Sequence, residues 1–279
     1  MKDLFRNAFG RYLKARNRNN YISRHDDCMS IISFRGCDFF AGKYNKIEAA
    51  LLMGEDRYDW NNHTVVSKFV KSGATCFDIG ANIGVYTVVM ANIVGPDGAV
   101  HSFEPVTHIR QKLQANLKIN NQKCVRINDF ALGEQESVME MLQVKQGQYR
   151  GGTSTFIPNE TISKMGIDKF EKVPVQLTTL DIYVKKNNIT EINFIKIDVE
   201  GFEWNVLDGG KEIIRKSGPT ILMEYDPVRH EGDSEKFRNF FNQEGYSVFE
   251  FAAFGDELVI SPFRFKGCPT GRNILCIKY

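Results

Sequence analysis

Two stretches of this chain carry side chains whose types and spacing could do chemistry. The first, Cys76-Phe77-Asp78-Ile79-Gly80-Ala81-Asn82-Ile83-Gly84-Val85-Tyr86-Thr87, sets an acid, two glycines and an amide between an apolar run and a segment of helical periodicity. The second, Asn193 to Glu203, places Lys196 inside an apolar run and gathers Asp198, Glu200 and Glu203 just beyond it. Glu224 ends a third apolar run in Leu222-Met223-Glu224-Tyr225. Acids grouped in this way have two uses. One of them can act as general base on a weakly nucleophilic hydroxyl, an effect of roughly 10²–10⁴-fold. Several together can hold a divalent cation that lowers the hydroxyl pKa, and oxygen-only ligands suit Mg²⁺ or Mn²⁺. Asp198 and Glu200 are the candidate bases, with Lys196 and Glu224 setting their charge. Asp198, Glu203 and Glu224 are the candidate metal ligands. Acids are also favoured in the first turn of a helix, so Glu200 and Glu203 have a purely structural reading too. A lysine buried in a sheet needs a partner, and Glu224 is the expected one if its strand lies alongside.

The glycine turn narrows the ligand. A turn between strand and helix lets a ligand approach bare backbone at a helix N-terminus. Gly80, Asn82 and Gly84 are the expected contacts. About 20 residues later Val100-His101-Ser102-Phe103-Glu104-Pro105 ends a second strand in an acid. Glu104 there can accept hydrogen bonds from ribose hydroxyls. A dinucleotide enzyme wants G-x-G-x-x-G against a pyrophosphate, whereas this chain has Asn82 in the middle and Asp78 just before the turn. An acid at that place repels a pyrophosphate and suits an ammonium group. S-adenosylmethionine carries one and no phosphate, with Asp78 helping to place its methionine end. Asp129 and Phe130, after a third strand, are candidates to bind and cover an adenine. A turn with no ligand is the plain alternative at both places.

The elements that position these residues read as alternating strands and helices. Strands are expected at 75–79, 99–104 and 123–128, with helices at 84–94 and 107–119 and a first core helix from Thr64 to Lys71. Alternation implies a parallel sheet with right-handed crossovers. It breaks at Val138 to Val144 and Val173 to Thr179, which read as an antiparallel pair. Between them, Gly147 to Thr155 is a long polar loop, a kind that is usually functional or disordered. Tyr149 and Arg150 in it are candidates, with Glu203, to contact a substrate rich in hydroxyls; an ordinary exposed loop is the alternative. The alternation resumes with strands Asn193 to Asp198 and Pro219 to Tyr225, each followed by a helix, and ends in strands near 246–251, 258 and 273–279. Residues 1–62 are expected to form an N-terminal extension, and 63–279 the main domain with an insertion at about 136–178.

Composition excludes several classes. The 279 residues are 42% apolar, enough for a real core. A net charge of +2 argues against a general nucleic-acid binder. Six scattered cysteines without a C-x-x-C argue against a zinc site or a disulfide framework. No apolar run approaches the roughly 18 residues of a membrane span, and the N-terminus lacks the apolar core of a signal peptide. The expectation is a reduced, cytoplasmic protein. Residues 1–20 hold six basic side chains against Asp3, with Leu4, Phe5, Ala8, Phe9, Tyr12 and Leu13 at helical spacing. Such a helix docks on an anionic membrane or packs on its own domain or a partner subunit, including a second copy.

These residues resemble the FkbM family of S-adenosylmethionine-dependent methyltransferases. Phe77 to Gly84 is similar to its first motif and Phe103-Glu104-Pro105 to its second. Asn193 to Gly210, with Ile195-Lys196-Ile197-Asp198-Val199-Glu200-Gly201-Phe202-Glu203 and Val206-Leu207-Asp208-Gly209-Gly210, resembles its most specific signature. Ala131-Leu132-Gly133 and Thr179-Leu180-Asp181 fit as well. The resemblance covers about residues 75–226. It implies an α/β, Rossmann-like class I methyltransferase fold: a doubly wound seven-stranded sheet with an antiparallel C-terminal hairpin, here with an N-terminal extension and an inserted strand pair. It also implies O-methylation, often of sugar hydroxyls in glycans, glycolipids or natural products. A nucleic-acid methyltransferase would need a basic, aromatic-lined channel, which is not visible outside the N-terminal helix. A non-catalytic glycan-binding or scaffold protein would not need both acidic sites.

Overall fold

The computed structural model describes residues 30–42, 46–52, 58–145, 156, 170–268 and 270–279. The basic segment 1–20 and the loop residues Tyr149 and Arg150 lie outside them.

Strands β1 (Ser30–Phe34) and β2 (Cys37–Ala41) form a hairpin. Its turn residues Arg35 and Gly36 both have positive φ, the backbone twist a two-residue hairpin requires. After α1 (Lys46–Leu52) comes α2 (Trp60–Phe69), which starts four residues before the sequence pattern predicts. The chain then alternates through β3 (Thr75–Ile79), α3 (Val85–Val94), β4 (Ala99–Phe103), α4 (Thr107–Ile119) and β5 (Val125–Asn128). Strand β2 is pinned to α4, whose Asn116 and Asn120 side chains accept from the backbone N–H groups of Phe40 and Asp38 at 3.0 and 2.8 Å.

Next come β6 (Ala131–Leu132), β7 (Ser137–Val144) and β8 (Phe170–Thr178), a separate three-stranded sheet in which β7 and β8 are antiparallel. The chain returns through α5 (Leu180–Lys186), β9 (Phe194–Ile197), α6 (Glu203–Asp208), α7 (Lys211–Ser217) and β10 (Thr220–Tyr225). It ends with α8 (Ser234–Gln243), β11 (Tyr246–Phe254), β12 (Glu257–Pro262) and β13 (Arg272–Lys278).

The large sheet has the order β12-β11-β13-β10-β9-β3-β4-β5. Strands β10, β9, β3, β4 and β5 are parallel, and β13 runs antiparallel between β10 and β11. This is the expected doubly wound sheet with one change: β12 adds an eighth strand, because β11 runs on to Phe254 and turns back on itself. Helices α2, α3 and α4 share one core on one face, and α5 to α8 share another. The order reverses between β3 and β9. Ligands bind at such a reversal, outside the carboxyl ends of the strands. Asp78 and Asp198 both stand there.

Short motifs far apart in sequence meet beside this sheet. Gly133 donates its N–H to Thr178 O, and Asp181 donates its N–H to Gly209 O. A Cβ on Gly209 would stand 2.0 Å from Gly133 O, so the helix break between α6 and α7 passes directly against β6. The Asp181 carboxylate accepts from the N–H groups of Glu212 and Ile213 at 3.1 and 2.9 Å, capping α7 from a different helix. The expected single helix after Phe202 is therefore two helices, broken at Gly209-Gly210 so that this contact can form. Gly209→Ala is expected to lower stability by about 1–3 kcal/mol by overpacking. Urea unfolding should show a lower midpoint at an unchanged slope.

Candidate active site

A cavity of about 440 Å³ opens at the strand reversal. Its walls come from the turn after β3, the start of α3, Glu104 after β4, the loop after β9 and Glu224 near the end of β10. The turn folds as the glycines require: Gly80, Asn82 and Gly84 all have positive φ. The reason for their small size differs from the sequence expectation. A Cβ on Gly80 would lie 2.0 Å from the carbonyl oxygen of Asp198, and one on Gly84 would lie 2.8 Å from Leu113. Gly80 is bare so that β9 can close against the turn, though it still lines the cavity. Gly84 is bare so that α4 can pack, and it does not line the cavity.

Glu104 is nearly buried and accepts from the backbone N–H of Asn82 and of Val106, both at 2.9 Å, one on each carboxylate oxygen. A carboxylate has about four acceptor positions, so each oxygen retains one for a ribose hydroxyl. Burial pushes its pKa up to about 7, against the pull of those two N–H groups.

Asp78 does not open onto the cavity. It is fully buried at the sheet centre, where Thr87 donates its hydroxyl to Oδ2 at 2.5 Å and Lys196 Nζ lies 3.7 Å from Oδ1. Asp78, expected to help place the methionine end, is off the cavity wall and buried. Asp129 is exposed and Phe130 packs on Phe103 and Tyr183; neither lines the cavity. Ala131 and Leu132 stand on the wall instead, where the chain pairs with β8.

Lys196 has different partners from the one expected. It lies opposite Asp78 in the β3–β9 register. Its ammonium is 3.7 Å from Asp78, 3.4 Å from Asp198 and 3.2 Å from the carbonyl oxygen of Gly80, to which it donates. It also lies 5.0 Å above the ring of Tyr86. Burial, the largest influence, lowers its pKa, but Asp198 and Asp78 outweigh it and hold the lysine charged.

Glu224 pairs with Arg229 at 2.7 Å, and the same guanidinium reaches Glu200 at 2.6 Å and Asp226 at 3.6 Å. Burial, then the charge of Asp198, pushes the Glu224 carboxyl up to about 8 although Arg229 opposes the rise. Asp198, Glu200 and Glu224 line the cavity together with Lys196.

Glu203 is turned away from it. Fully buried, Glu203 accepts from the N–H groups of Val199 and Gly201 at 3.0 and 3.3 Å and faces His230 Nε2 at 2.8 Å. Its substrate and metal roles are corrected to a structural one: it holds the 198–202 loop in shape. Among the described residues no group of three His, Cys, Asp or Glu side chains is placed to hold a metal ion.

Sequence reasoning missed three contributors. Arg229 follows a proline turn and carries no pattern of its own. Tyr86 donates its hydroxyl to Asp59 at 2.6 Å, and Asp59, held at φ 51°, lines the cavity beside Tyr58. A non-glycine residue in that conformation was the available signal, and only the structure reveals it. Trp60 plugs the sheet edge, donating to Gly255 O at 3.1 Å beneath the guanidinium of Arg35.

These residues fit S-adenosylmethionine: Glu104 keeps two acceptor positions beside Asn82, and the cavity is of a size that takes a nucleoside. A ribose hydroxyl favours the ionised form of Glu104. Affinity for S-adenosylhomocysteine is therefore expected to rise about tenfold from pH 6 to pH 8, as Glu104 loses its proton near pH 7. Calorimetry of Glu104→Gln should show weak binding with that pH dependence gone.

The Methyltransferase FkbM domain family matches residues 78–248, more than half of the chain. The chain is similar to Methyltransferase 1 of Beauveria bassiana, 24% identical over 143 residues, covering 47% of this chain and 56% of that protein. It is similar to the 31-O-demethyl-FK506 methyltransferase FkbM of Streptomyces tacrolimicus, 25% identical over 206 residues, covering 57% of this chain and 77% of that protein. The match thus spans little more than half the length of the first of these relatives. Among solved structures, a methyltransferase FkbM from Methylobacillus flagellatus aligns with a TM-score of 0.45 at 15% identity, over 74% of this chain and 44% of that one. A SAM-dependent O-methyltransferase from Thermotoga maritima aligns with a TM-score of 0.41 at 15% identity, over 79% and 65%. The chain belongs to the FkbM family of S-adenosylmethionine-dependent methyltransferases.

Proposed function

We propose that the protein methylates an oxygen, the hydroxyl of a sugar in a glycan, glycolipid or glycosylated natural product. The observation that carries this reading is the pair of carboxyl groups, Asp198 and Glu224, on the wall of the cofactor cavity. A hydroxyl, unlike an amine, must lose a proton as it attacks, and a base with a pKa near the working pH receives it best. Glu224, pushed up to about 8 by burial, meets that condition.

S-adenosylmethionine supplies an electrophilic methyl group when bound. Glu104 holds the ribose side and the Gly80–Asn82 turn supports it. Asp198, ion-paired to Lys196 at 3.4 Å, orients the incoming hydroxyl. Glu224 takes the proton, with Arg229 steadying the carboxylate before and after transfer. The family relative whose name specifies a 31-O-demethyl substrate is itself an oxygen methyltransferase by that name, which supports the same atom here.

We favour the scheme without a divalent cation. Arg229 already bridges Glu200 and Glu224 with positive charge, and Glu203, one of the three expected ligands, is committed to the 198–202 loop. The five described cysteines are unpaired thiols, which supports a cytoplasmic setting. Among the described residues no helix is long and apolar enough to cross a membrane. Docking of residues 1–20 on anionic lipid and assembly with a second copy remain proposals on the sequence pattern.

Asp198→Asn and Glu224→Gln should each cut turnover of labelled S-adenosylmethionine on a glycan panel by about 10²-fold. Affinity for S-adenosylhomocysteine should stay within a few-fold. The wild-type kcat/KM should climb with pH and level off above about 8, and Glu224→Gln should lose that inflection. Activity should survive EDTA; loss restored by Mg²⁺ or Mn²⁺ would reinstate the cation scheme. Full turnover in both variants would defeat the assignment.

A further inference from the structure

A second cavity, also of about 440 Å³, lies between the start of α2 and the C-terminal strands. Two features join it to the first. Asp59 lines both cavities. Glu224 on β10 lies directly opposite Asn273 on β13 in the antiparallel register, and the former lines the first cavity while the latter lines the second. Opposed residues in such a pair have Cβ atoms only about 5 Å apart. The second cavity therefore runs up to the side chain assigned the proton.

Its walls have a definite chemistry. Glu250 and Arg272 line it as an ion pair at 2.5 Å, so this part of the wall offers donors and acceptors with no net charge. Asn273 adds an amide, with both kinds of hydrogen-bonding group, and Phe251 adds an apolar surface. A phosphate or a polyanion would find the carboxylates of Asp59 and Glu250 in its way. A neutral sugar presents hydroxyls that both donate and accept around a ring with apolar C–H faces, and this wall answers both. The throat is held in place. Asp59 keeps its positive φ because Tyr86 donates to one carboxylate oxygen at 2.6 Å and Asn62 to the other at 2.9 Å. Asn61, next to it, accepts from the Ala253 N–H at 2.9 Å and ties the helix start to β11.

We propose that this second cavity is the acceptor subsite: a neutral sugar ring binds between α2 and the β11–β13 strands and passes one hydroxyl across Asp59 toward Glu224. The inference rests on the sugar-hydroxyl reading of the function and adds where the sugar is held.

Ser261 and Thr270 line this cavity, are exposed, and take no part in the cofactor site. Ser261→Trp and Thr270→Trp should fill it from two directions, so that one poorly folded variant does not decide the result. Saturation-transfer NMR would use the full chain loaded with S-adenosylhomocysteine and a panel of neutral methyl glycosides and oligosaccharides. The expected result is transfer to at least one sugar in the wild type, more than fivefold weaker in both variants, with S-adenosylhomocysteine affinity unchanged by calorimetry. A sugar that binds wild type and both variants equally would remove it from this cavity while leaving the sugar reading in place. If no neutral sugar binds the wild type, the sugar reading falls and this subsite falls with it.

Discussion

One buried ammonium group holds this site together. Lys196 sits in the middle of a parallel sheet, where a lone charge would cost several kcal/mol. Three oxygens offset that cost: Asp78 across the β3–β9 register, Asp198 just past the end of its own strand, and the carbonyl of Gly80. Each belongs to a different part of the site. Asp78 is the strand beneath the turn, Gly80 is the turn itself, and Asp198 begins the acid cluster. A single cation therefore ties the turn proposed to hold the cofactor to Asp198, the acid proposed to orient the incoming hydroxyl. Gly80 completes the arrangement by having no side chain, since any Cβ would enter the Asp198 carbonyl.

The charges around the cavity form two sets. Lys196 serves Asp78 and Asp198, and Arg229 serves Glu200, Glu224 and Asp226. Five carboxylates against two cations leave the region short of positive charge. Burial first, and then the charge of neighbouring Asp198, pushes the Glu224 carboxyl up to about 8. A site whose cofactor carries a sulfonium and an ammonium tolerates that deficit, whereas a pyrophosphate would deepen it. Below the sheet the same logic appears in structural form. Glu203 and His230 are buried together; Glu203 accepts from the N–H groups of Val199 and Gly201, and His230 contacts the backbone oxygen of Asp226, so polar groups off the cavity wall shape these loops.

Much of this was legible from residue order. Strand β3 and helix α4 have the bounds that apolar pattern and periodicity indicate, and Glu104 lines the cavity at the carboxyl end of its strand. Period-two alternation put Lys196 and Asp198 on one side of their strand. What pattern does not carry is register and side-chain direction. Lys196 took Asp78 as partner because β3, on its other side, presents a carboxylate at the same level, which the sequence of β9 and β10 cannot reveal. Glu200 and Glu203 look alike in sequence, but the positive φ of Glu200 and of Gly201 turns one into the cavity and the other under the loop. Asp59 and Arg229 lie in turns with no periodicity, so only their neighbours in space give them a role. Gly209 and Gly133 belong to recognisable motifs, but their purpose, a close backbone contact between the α6–α7 break and the end of β6, needs the fold.

The site depends most on the coupling between Asp78 and Lys196. A double-mutant cycle of Asp78→Asn and Lys196→Met, read by urea unfolding, measures it directly. Each single change should destabilise strongly, by about 3–5 kcal/mol, because it strands a buried charge. The double variant should recover part of that loss, with a coupling energy above about 1.5 kcal/mol. Additive losses, with coupling below about 0.5 kcal/mol, would contradict the claim that this ion pair organises the site.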